Sequence, residues 1–182
     1  MLDQYMPGTN IPFSSGNNSD IIETMIRMTN GLSLGQVCTI TGLETSTIQN
    51  WVKRGYVSRP VRKKYFERQM WRILLISSLR DCMKIEEIGE LMGLINGDVE
   101  DESDDIISEA TLYDFFCLAI KEMDTQELSP EAIDGTIEEV LKNFDSPNKD
   151  KLHRAIRIMV YAYISGRCIN LIKKDLEVLK ND

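Results

Sequence analysis

Apolar residues recur three and four positions apart along most of the chain, which is the spacing of an amphipathic helix. The first such pattern covers residues 19–30, where Ser19 or Asp20 can cap the helix and Asn30-Gly31 can end it. Two shorter helices follow, and their start and stop signals are Ser33 and Gly42 for one, and Thr45 or Ser46 and Gly55 for the other.

The rest of the chain continues this helical pattern with one interruption. Residues 56–65 are too short and too polar for a core element and predict a β-turn or small hairpin, stiffened by Pro60. Helices are expected at about 66–81 and 85–94, after Ser108, from Ser129-Pro130, and from near Pro147 to about Leu179 with an interruption or a kink at Gly166. We therefore predict a mainly α protein.

Breaks in the pattern divide the chain into five parts. The predicted parts are a flexible N-terminal arm (1–18), an N-terminal helix (19–30), a unit of short helices with a basic turn (31–95), an acidic linker (96–107) and a helical region (108–182).

The charge is distributed unevenly between these parts. The whole chain carries −8, but residues 31–84 carry +7 and residues 85–150 carry −17. This asymmetry indicates a polyanion-binding unit attached to a part with another task.

Other features restrict the possible functions. No run approaches the roughly 20 apolar residues of a membrane span, and the N-terminus lacks the pattern of a signal peptide. The four cysteines are far apart and His153 is the only histidine, so we expect free thiols, no metal or other cofactor, no catalysis and a cytoplasmic protein.

The second short helix has two faces of different chemistry. Ile48, Trp51 and Val52 share the apolar face, and we interpret Trp51 as core rather than as a platform for base stacking. Gln and Asn can pair with adenine, whereas Ser, Thr, Lys and Arg reach bases or phosphates. The polar face predicts contact with the major groove of DNA by Ser46, Thr47, Gln49, Asn50, Lys53 and Arg54.

The basic turn is placed to bind the flanking phosphates. Its cations are Arg59, Arg62, Lys63 and Lys64. Tyr65 either contacts phosphate or packs this turn onto the core, and Arg68 and Arg72, one helical turn apart, are further candidate phosphate contacts.

These patterns together resemble the winged helix-turn-helix of the MerR family. The matching segments are Leu34-Gly35-Gln36-Val37, Thr41-Gly42-Leu43, Thr47-Ile48, Gly55-Tyr56-Val57, Tyr65, Leu79-Arg80 and Ile85-Glu86-Glu87-Ile88. The resemblance implies a MerR-like unit at 31–95, with a recognition helix and a small basic β wing. The whole chain also resembles an uncharacterised bacterial family with a MerR-like N-terminal unit, domain of unknown function 1836.

The sequence departs from the MerR pattern at two places, and part of it also fits a related class of winged helix. Gln49-Asn50-Trp51 stands where an Arg-Tyr-Tyr stretch is common, and Phe66 replaces a Ser or Thr cap. Ser46-Thr47, Trp51 and Arg54-Gly55 also resemble excisionase-like winged helices. The long region beyond Asp98 favours a regulator over a small excisionase.

The last helix predicts a dimer. Apolar or small residues recur at alternating spacings of three and four positions along this helix. Such a stripe forms the seam of a coiled coil with a partner helix, or it packs inside the monomer. The seam consists of Ala155, Ile158, Ala162, Ser165, Ile169, Ile172, Leu176 and Leu179. MerR relatives dimerise through a long helix after the DNA-binding unit, so the resemblance favours a homodimer.

Two further features have competing interpretations. The acidic run 98–105 is a solvated linker, or it docks on the basic turn and weakens DNA binding; it lacks the spacing of an EF-hand. Aromatic and methionine side chains of the helical region form core or line a ligand pocket, and they are Phe115, Phe116, Met123, Tyr161 and Tyr163.

The sequence therefore predicts a sequence-specific transcriptional regulator that binds double-stranded DNA as a homodimer, with an unidentified small-molecule effector left open. The alternative is a protein-interaction adaptor or small-molecule sensor whose DNA-binding unit is degenerate. No membrane partner is expected.

Overall fold

We describe a computed structural model of the chain, which covers residues 5–13, 18–99, 103, 105–123 and 128–181. The protein is mainly helical, as predicted, and its described residues form eight helices and one two-stranded sheet. The elements are α1 (Asn18–Thr29), β1 (Leu32–Ser33), α2 (Leu34–Thr41), α3 (Thr45–Lys53), β2 (Lys64–Tyr65), α4 (Glu67–Leu79), α5 (Ile85–Asn96), α6 (Glu109–Met123), α7 (Pro130–Val140) and α8 (Lys149–Asn181).

Helix α4 lies at the centre of the fold. Met70, Ile73, Leu74 and Leu75 are fully buried, and even the polar Gln69 on the same helix is buried. Helices α1, α2, α5, α6 and α8 all pack against α4. A helix that is buried on nearly every side requires neighbours around it, and the core formed in this way includes residues of both 31–95 and 108–182.

Local signals account for the short helices that follow α1. Ser33 caps α2 in a reciprocal arrangement in which its backbone N–H donates to Gln36 Oε1 at 2.8 Å and its Oγ accepts from the Gln36 N–H. Gly42, at a φ of 69°, ends α2 in the left-handed conformation. The predicted cap of α3 is wrong, because Glu44 occupies that position and makes no side-chain cap.

The sheet joins the end of the basic turn to the residues that precede α2. β1 and β2 are antiparallel, with Leu32 opposite Tyr65 and Ser33 opposite Lys64. Residues 61 and 64 form a further bridge, so residues 59–65 make a small hairpin, called here the basic hairpin. This agrees with the turn or hairpin expected from the sequence.

The C-terminal region is a helical layer on α4. Ser129 caps α7 by accepting the Ala132 N–H at 3.1 Å, with Pro130 at the first helical position, as predicted. Helix α8 runs from Lys149 to Asn181 as one helix, so of the interruption or kink expected at Gly166 the interruption does not occur. Its first half is packed in the core, whereas residues 171–181 are all exposed.

A flexible arm was expected for residues 1–18, of which residues 1–4 and 14–17 lie outside the described residues, and residues 5–13 differ from that expectation. Residues 5–13 form a closed loop with Met6 buried, and Tyr113 Oη donates to the Pro7 carbonyl at 2.7 Å. At Gly8, with a φ of 73°, a Cβ would lie 2.5 Å from the Leu74 carbonyl oxygen. The sequence suggested mobility because Gly and Pro are common in this segment, but here they permit close packing on α4.

The sequence analysis predicted no membrane-spanning segment, but α8 is long and apolar enough to cross a membrane. Among the described residues it alone contains an 18-residue window of mean hydropathy 1.2 with no more than two charged residues, enough by length and composition to cross a membrane. Within the protein, 39% of this window is buried. Leu152, Ile156, Met159 and Val160 belong to the core, which accounts for the apolar character of the first half of α8.

The bond between α6 and the N-terminal loop makes a testable contribution to stability. We expect Tyr113→Phe to lower the free energy of unfolding by about 1–3 kcal/mol, because the buried Pro7 carbonyl loses its donor. Urea denaturation measures this difference. The control is Tyr161→Phe, on an exposed tyrosine of α8, which should change stability little. Equal effects of the two substitutions would contradict the docking of the loop.

Candidate nucleic-acid interface

Helix α3 presents a polar face to solvent. Ile48 and Trp51 are buried and Val52 is half-buried, which fixes the opposite face outward. Trp51 is therefore core, as interpreted from the sequence. The outward residues proposed to meet DNA are Ser46, Gln49, Asn50, Lys53 and Arg54, all exposed, and Thr47, which is half-buried.

The tip of the basic hairpin is held in an unusual backbone conformation. Val61 and Lys64 exchange two backbone hydrogen bonds of 2.9 Å, which closes a two-residue turn over Arg62 and Lys63. Both turn residues have positive φ, 50° and 65°, where asparagine and glycine are normally found. Two cationic side chains are thereby exposed at the tip at a cost in backbone strain, a pattern associated with functional sites.

The other cations of the hairpin differ in what they do. Arg59 is exposed, and so are Arg62 and Lys63. Lys64 is half-buried, and its Nζ donates to the Gly31 carbonyl at 2.9 Å, so this cation also fastens β2 beside β1. Three of the four predicted phosphate contacts are thus presented to solvent.

A groove of about 450 Å³ brings α3 and the basic hairpin together. One wall is formed by Gln49 and Lys53 of α3, and the other by Pro60 and Lys63 of the hairpin. The remaining lining side chains, Leu34, Val52 and Tyr65, are mainly apolar. We call the exposed Ser46, Gln49, Asn50, Lys53, Arg59, Arg62 and Lys63 the basic surface.

Helix α3 is fastened to α5 through its last cation. Arg54 Nη2 lies 2.5 Å from Glu86 Oε1, and the guanidinium carbon stands 5.0 Å from the centre of the Tyr56 ring. The hydrogen bond between Arg54 and Glu86 raises the pKa of the arginine and lowers the pKa of the glutamate. Tyr56 in turn lies over Gly89 of α5, where a Cβ would come 2.7 Å from its ring. Arg54 is therefore a positioning residue for α3 as well as an exposed cation.

Two residues considered as phosphate contacts lie inside the core instead. Tyr65 is buried, and burial raises the pKa of its hydroxyl. Arg72 is also buried, with its Nε 2.7 Å from Glu109 Oε1 of α6, and burial lowers its pKa. The hypotheses of phosphate contact by Tyr65 and Arg72 are wrong, because both side chains pack inside the core.

Arg68 is engaged by the acidic segment. Its Nη2 donates to the Asp98 carbonyl at 3.0 Å, and it lines a cavity with Glu23, Glu67 and Asp105. Residues 100–102 and 104 of this segment lie outside the described residues. The contact seen is with α4 rather than with the basic hairpin, so Arg68 is not part of the basic surface.

The residues of the predicted dimerisation seam differ in their burial. Ala155 and Ala162 are buried, so they pack inside the monomer. Ile169 is half-buried, and the exposed members are Ile158, Ser165, Ile172, Leu176 and Leu179. The small side chains of Ala155 and Ala162 let α8 approach the core closely. The heptad spacing alone could not show whether they would face the core or a partner helix.

The aromatic cluster of the C-terminal region is mostly core. Phe116, Met123 and Tyr163 are buried, and Phe116 and Tyr163 meet edge-to-face with ring centres 5.7 Å apart. Phe115 is half-buried against Phe144, and Tyr161 is exposed. Within the described parts of the chain, no three His, Cys, Asp or Glu side chains are grouped closely enough to hold a metal ion.

The sequence interpretation missed Tyr56, Glu86 and Gly89 as supports of the site. Glu86 is an exposed acidic residue like many others, and nothing local marks it as the partner of Arg54. Gly89 did carry a signal, because an isolated glycine inside a helical pattern often marks a close approach.

Comparison with known proteins identifies the family but no activity. The chain belongs to the family described as "Domain of unknown function (DUF1836)", which it matches over residues 18–116, from the start of α1 into α6. It is 27% identical over 113 residues to "Uncharacterized protein YkrK" of Bacillus subtilis (strain 168), covering 60% of this chain and 48% of that relative. The chain thus spans about half the length of that protein. No solved structure matches it.

The strained hairpin tip generates a stability prediction. We expect the double variant Arg62→Asn/Lys63→Gly to raise the free energy of unfolding by about 1 kcal/mol, because these residues adopt positive φ with less steric cost. Thermal or urea denaturation provides the measurement.

The matched control is Arg62→Ala/Lys63→Ala, which removes the same two charges and leaves the unfavourable φ values. The Ala variant should be no more stable than the unmodified chain. If it gained as much stability as the Asn-Gly variant, charge repulsion rather than backbone strain would be the cause.

Two glycines of α5 test the attachment of α3. Gly89→Ala should lower the free energy of unfolding by about 1–3 kcal/mol, because its methyl group collides with Tyr56. Gly93→Ala, on the same helix with open space around it, should raise it by about 0.5–1 kcal/mol through helix propensity. The same sign for both variants in urea denaturation would refute the close packing of Tyr56 on α5.

Proposed function

We propose that this protein is a sequence-specific transcriptional regulator that binds double-stranded DNA as a homodimer. The observation that carries the proposal is the groove in which α3 and the basic hairpin face one another. Polar side chains that can pair with bases stand on one wall, and long cationic side chains stand on both.

The arrangement of α2, α3 and the hairpin supports a MerR-type winged helix-turn-helix. Helix α2 and helix α3 are joined by a short turn at Gly42, the usual dimensions of a helix-turn-helix. In that motif α3 would enter the major groove, with Gln49 and Asn50 facing base edges. The hairpin would be the wing, and the sequence motifs noted above point to the same family.

Phosphate contacts would come from the exposed cations of the basic surface. Lys53, Arg59, Arg62 and Lys63 make no ion pair or side-chain hydrogen bond with another residue in the described part of the chain, so binding DNA would not require breaking one. The net charge of +7 over residues 31–84 adds attraction at longer range, despite the overall −8.

Dimerisation would use the end of α8. Ile172, Leu176 and Leu179 are 59%, 50% and 71% exposed and continue the three-four spacing of a coiled-coil seam. Residues 171–181 of α8 are all exposed in the described structure, so pairing would bury their apolar side chains, and the occupant proposed is the same helix of a second copy. A two-fold dimer could place two α3 helices about 34 Å apart on successive major grooves.

The salt dependence of binding tests the phosphate contacts. The logarithm of the binding constant should fall linearly with the logarithm of salt concentration, by about 0.9 per phosphate neutralised. Arg59→Ala/Arg62→Ala/Lys63→Ala should therefore reduce the slope by up to about 2.7 per chain. Fluorescence anisotropy with labelled DNA measures both slopes.

Lysines outside the basic surface provide the control. Lys173→Ala/Lys174→Ala removes exposed charge from α8 and should leave the slope unchanged. Binding without salt dependence, or an equal loss of slope in both variants, would refute phosphate contact by the hairpin. An absence of DNA binding would favour the protein-interaction adaptor.

The exposed end of α8 tests dimerisation. Ile172→Asp/Leu176→Asp should give a monomer at micromolar concentration in light scattering and weaken binding to a two-site DNA, because charges in the seam oppose pairing. Leu171→Asp/Val178→Asp, on equally exposed residues outside the seam, should remain a dimer. A monomeric unmodified chain would contradict this part of the proposal.

A further inference from the structure

The groove between α3 and the basic hairpin has a floor that is mainly apolar. Leu34, Val52 and Pro60 are half-buried there, so part of their apolar surface remains open to solvent. Tyr65 is only 3% exposed and lines the same groove. Small-molecule sites have volumes of roughly 300–1,000 Å³ and combine apolar side chains with a few polar groups. At about 450 Å³, this groove has both the size and the kind of lining of such a site.

The hydroxyl group of Tyr65 has no hydrogen-bond partner within the described part of the chain. It is not one of the fully enclosed polar atoms without a partner, such as Asn96 Oδ1, so it keeps contact with solvent at the groove that Tyr65 lines. Burial, with a smaller contribution from the nearby Cys38 thiol, raises the pKa of this hydroxyl, which therefore stays protonated at neutral pH. The floor of the groove thus offers a hydrogen-bond donor to a molecule that enters from solvent.

Two lysines give the groove a positive charge. Lys53 stands on the α3 wall and Lys63 on the hairpin wall, and both are exposed. Neither makes an ion pair or a side-chain hydrogen bond with another described residue. Gln49, beside Lys53, adds an amide group that can donate or accept a hydrogen bond. Among the described residues no Asp or Glu lines the groove, so its charge favours an anion.

From these observations we infer that the groove binds an organic carboxylate that has an apolar body. The apolar body would lie on Leu34, Val52 and Pro60 and remove their surface from water. The carboxylate would accept a hydrogen bond from Tyr65 Oη and lie between the two lysines. A DNA backbone would meet the exposed ends of the cations instead, since Tyr65 is buried at the floor.

Occupation of the groove has a consequence for DNA, and this part rests on the proposed function. The carboxylate would neutralise Lys53 and Lys63, two of the cations proposed to contact phosphate, and its apolar body would lie between α3 and the wing. Ligand and DNA would therefore compete, and each would weaken the binding of the other by the same factor. The binding of the carboxylate itself does not rest on the proposed function.

Titration calorimetry of the full chain without DNA tests the inference. The probes are 2-naphthoate and decanoate, which differ in the shape of the apolar body, at constant ionic strength. We expect saturable binding of at least one of them at one site per chain. Acetate, which lacks the apolar body, and 2-naphthylmethanol, which lacks the charge, should each bind at least about tenfold more weakly.

Tyr65→Phe removes the hydroxyl and keeps the ring. The variant should bind the carboxylate about tenfold more weakly, because a hydrogen bond to a charged group is lost. Its free energy of unfolding should not fall, because the hydroxyl has no partner inside the described chain. The matched control is Tyr161→Phe, on an exposed tyrosine of α8, which should bind as tightly as the unmodified chain. Amide resonances of Leu34 and Val52 should shift with saturation.

Several results would overturn the inference. They are the absence of saturable binding for both carboxylates, equal affinity for acetate or 2-naphthylmethanol, unchanged affinity in Tyr65→Phe, and resonance shifts confined to other surfaces. A clear loss of stability in Tyr65→Phe would also count against it, because it would reveal a partner for the hydroxyl inside the protein. Carboxylate binding by a chain that does not bind DNA would refute the proposed function alone.

Discussion

The burial of α4 on all sides is the constraint on which the other elements depend. Because nearly the whole of this helix is buried, including its polar residues Gln69 and Arg72, α1, α2 and α5 cover one part of it while α6 and α8 cover the rest. The basic hairpin is tied to the same helix, since Gln69 Nε2 donates to Ser58 Oγ at 3.2 Å and to the Arg59 carbonyl at 3.3 Å. The geometry of the candidate site is thus set by contacts made in the core.

Because the chain has one core, the parts predicted at 31–95 and 108–182 are not structurally independent of each other. The buried ion pair between Arg72 and Glu109 joins α4 to α6, and Glu109 belongs to the region expected to act separately. Removing one partner would leave an uncompensated buried charge, which is strongly destabilising. The family match agrees with this connection, because it continues into α6 and includes Leu112, Tyr113 and Phe116, all fully buried. The N-terminal unit therefore requires α6 to complete its core.

The sequence predicted what local chemistry controls. The Ser33 capping pattern, the Ser129-Pro130 start and the two faces of α3 depend on neighbouring residues, and these predictions are confirmed. The positions of Arg72 and residues 5–13 depend on contacts with distant segments, and there the predictions were wrong. For Tyr65 the sequence left two alternatives open, and the structure shows packing onto the core. In the sequence, an arginine that binds phosphate cannot be told from one that pairs with a buried carboxylate. Small residues in α8 likewise fit against a partner helix or against the core. Only the tertiary packing distinguishes these cases.

The central claim is that α3 reads a DNA sequence. Selection of bound fragments from a random double-stranded pool by the full chain tests it most directly, since it presupposes no operator. We expect enrichment of an inverted repeat whose half-sites are centred about 10 base pairs, one helical turn, apart, and loss of sequence preference in a Gln49→Ala/Asn50→Ala variant. A pool that shows no enriched sequence after repeated selection at moderate salt would contradict it.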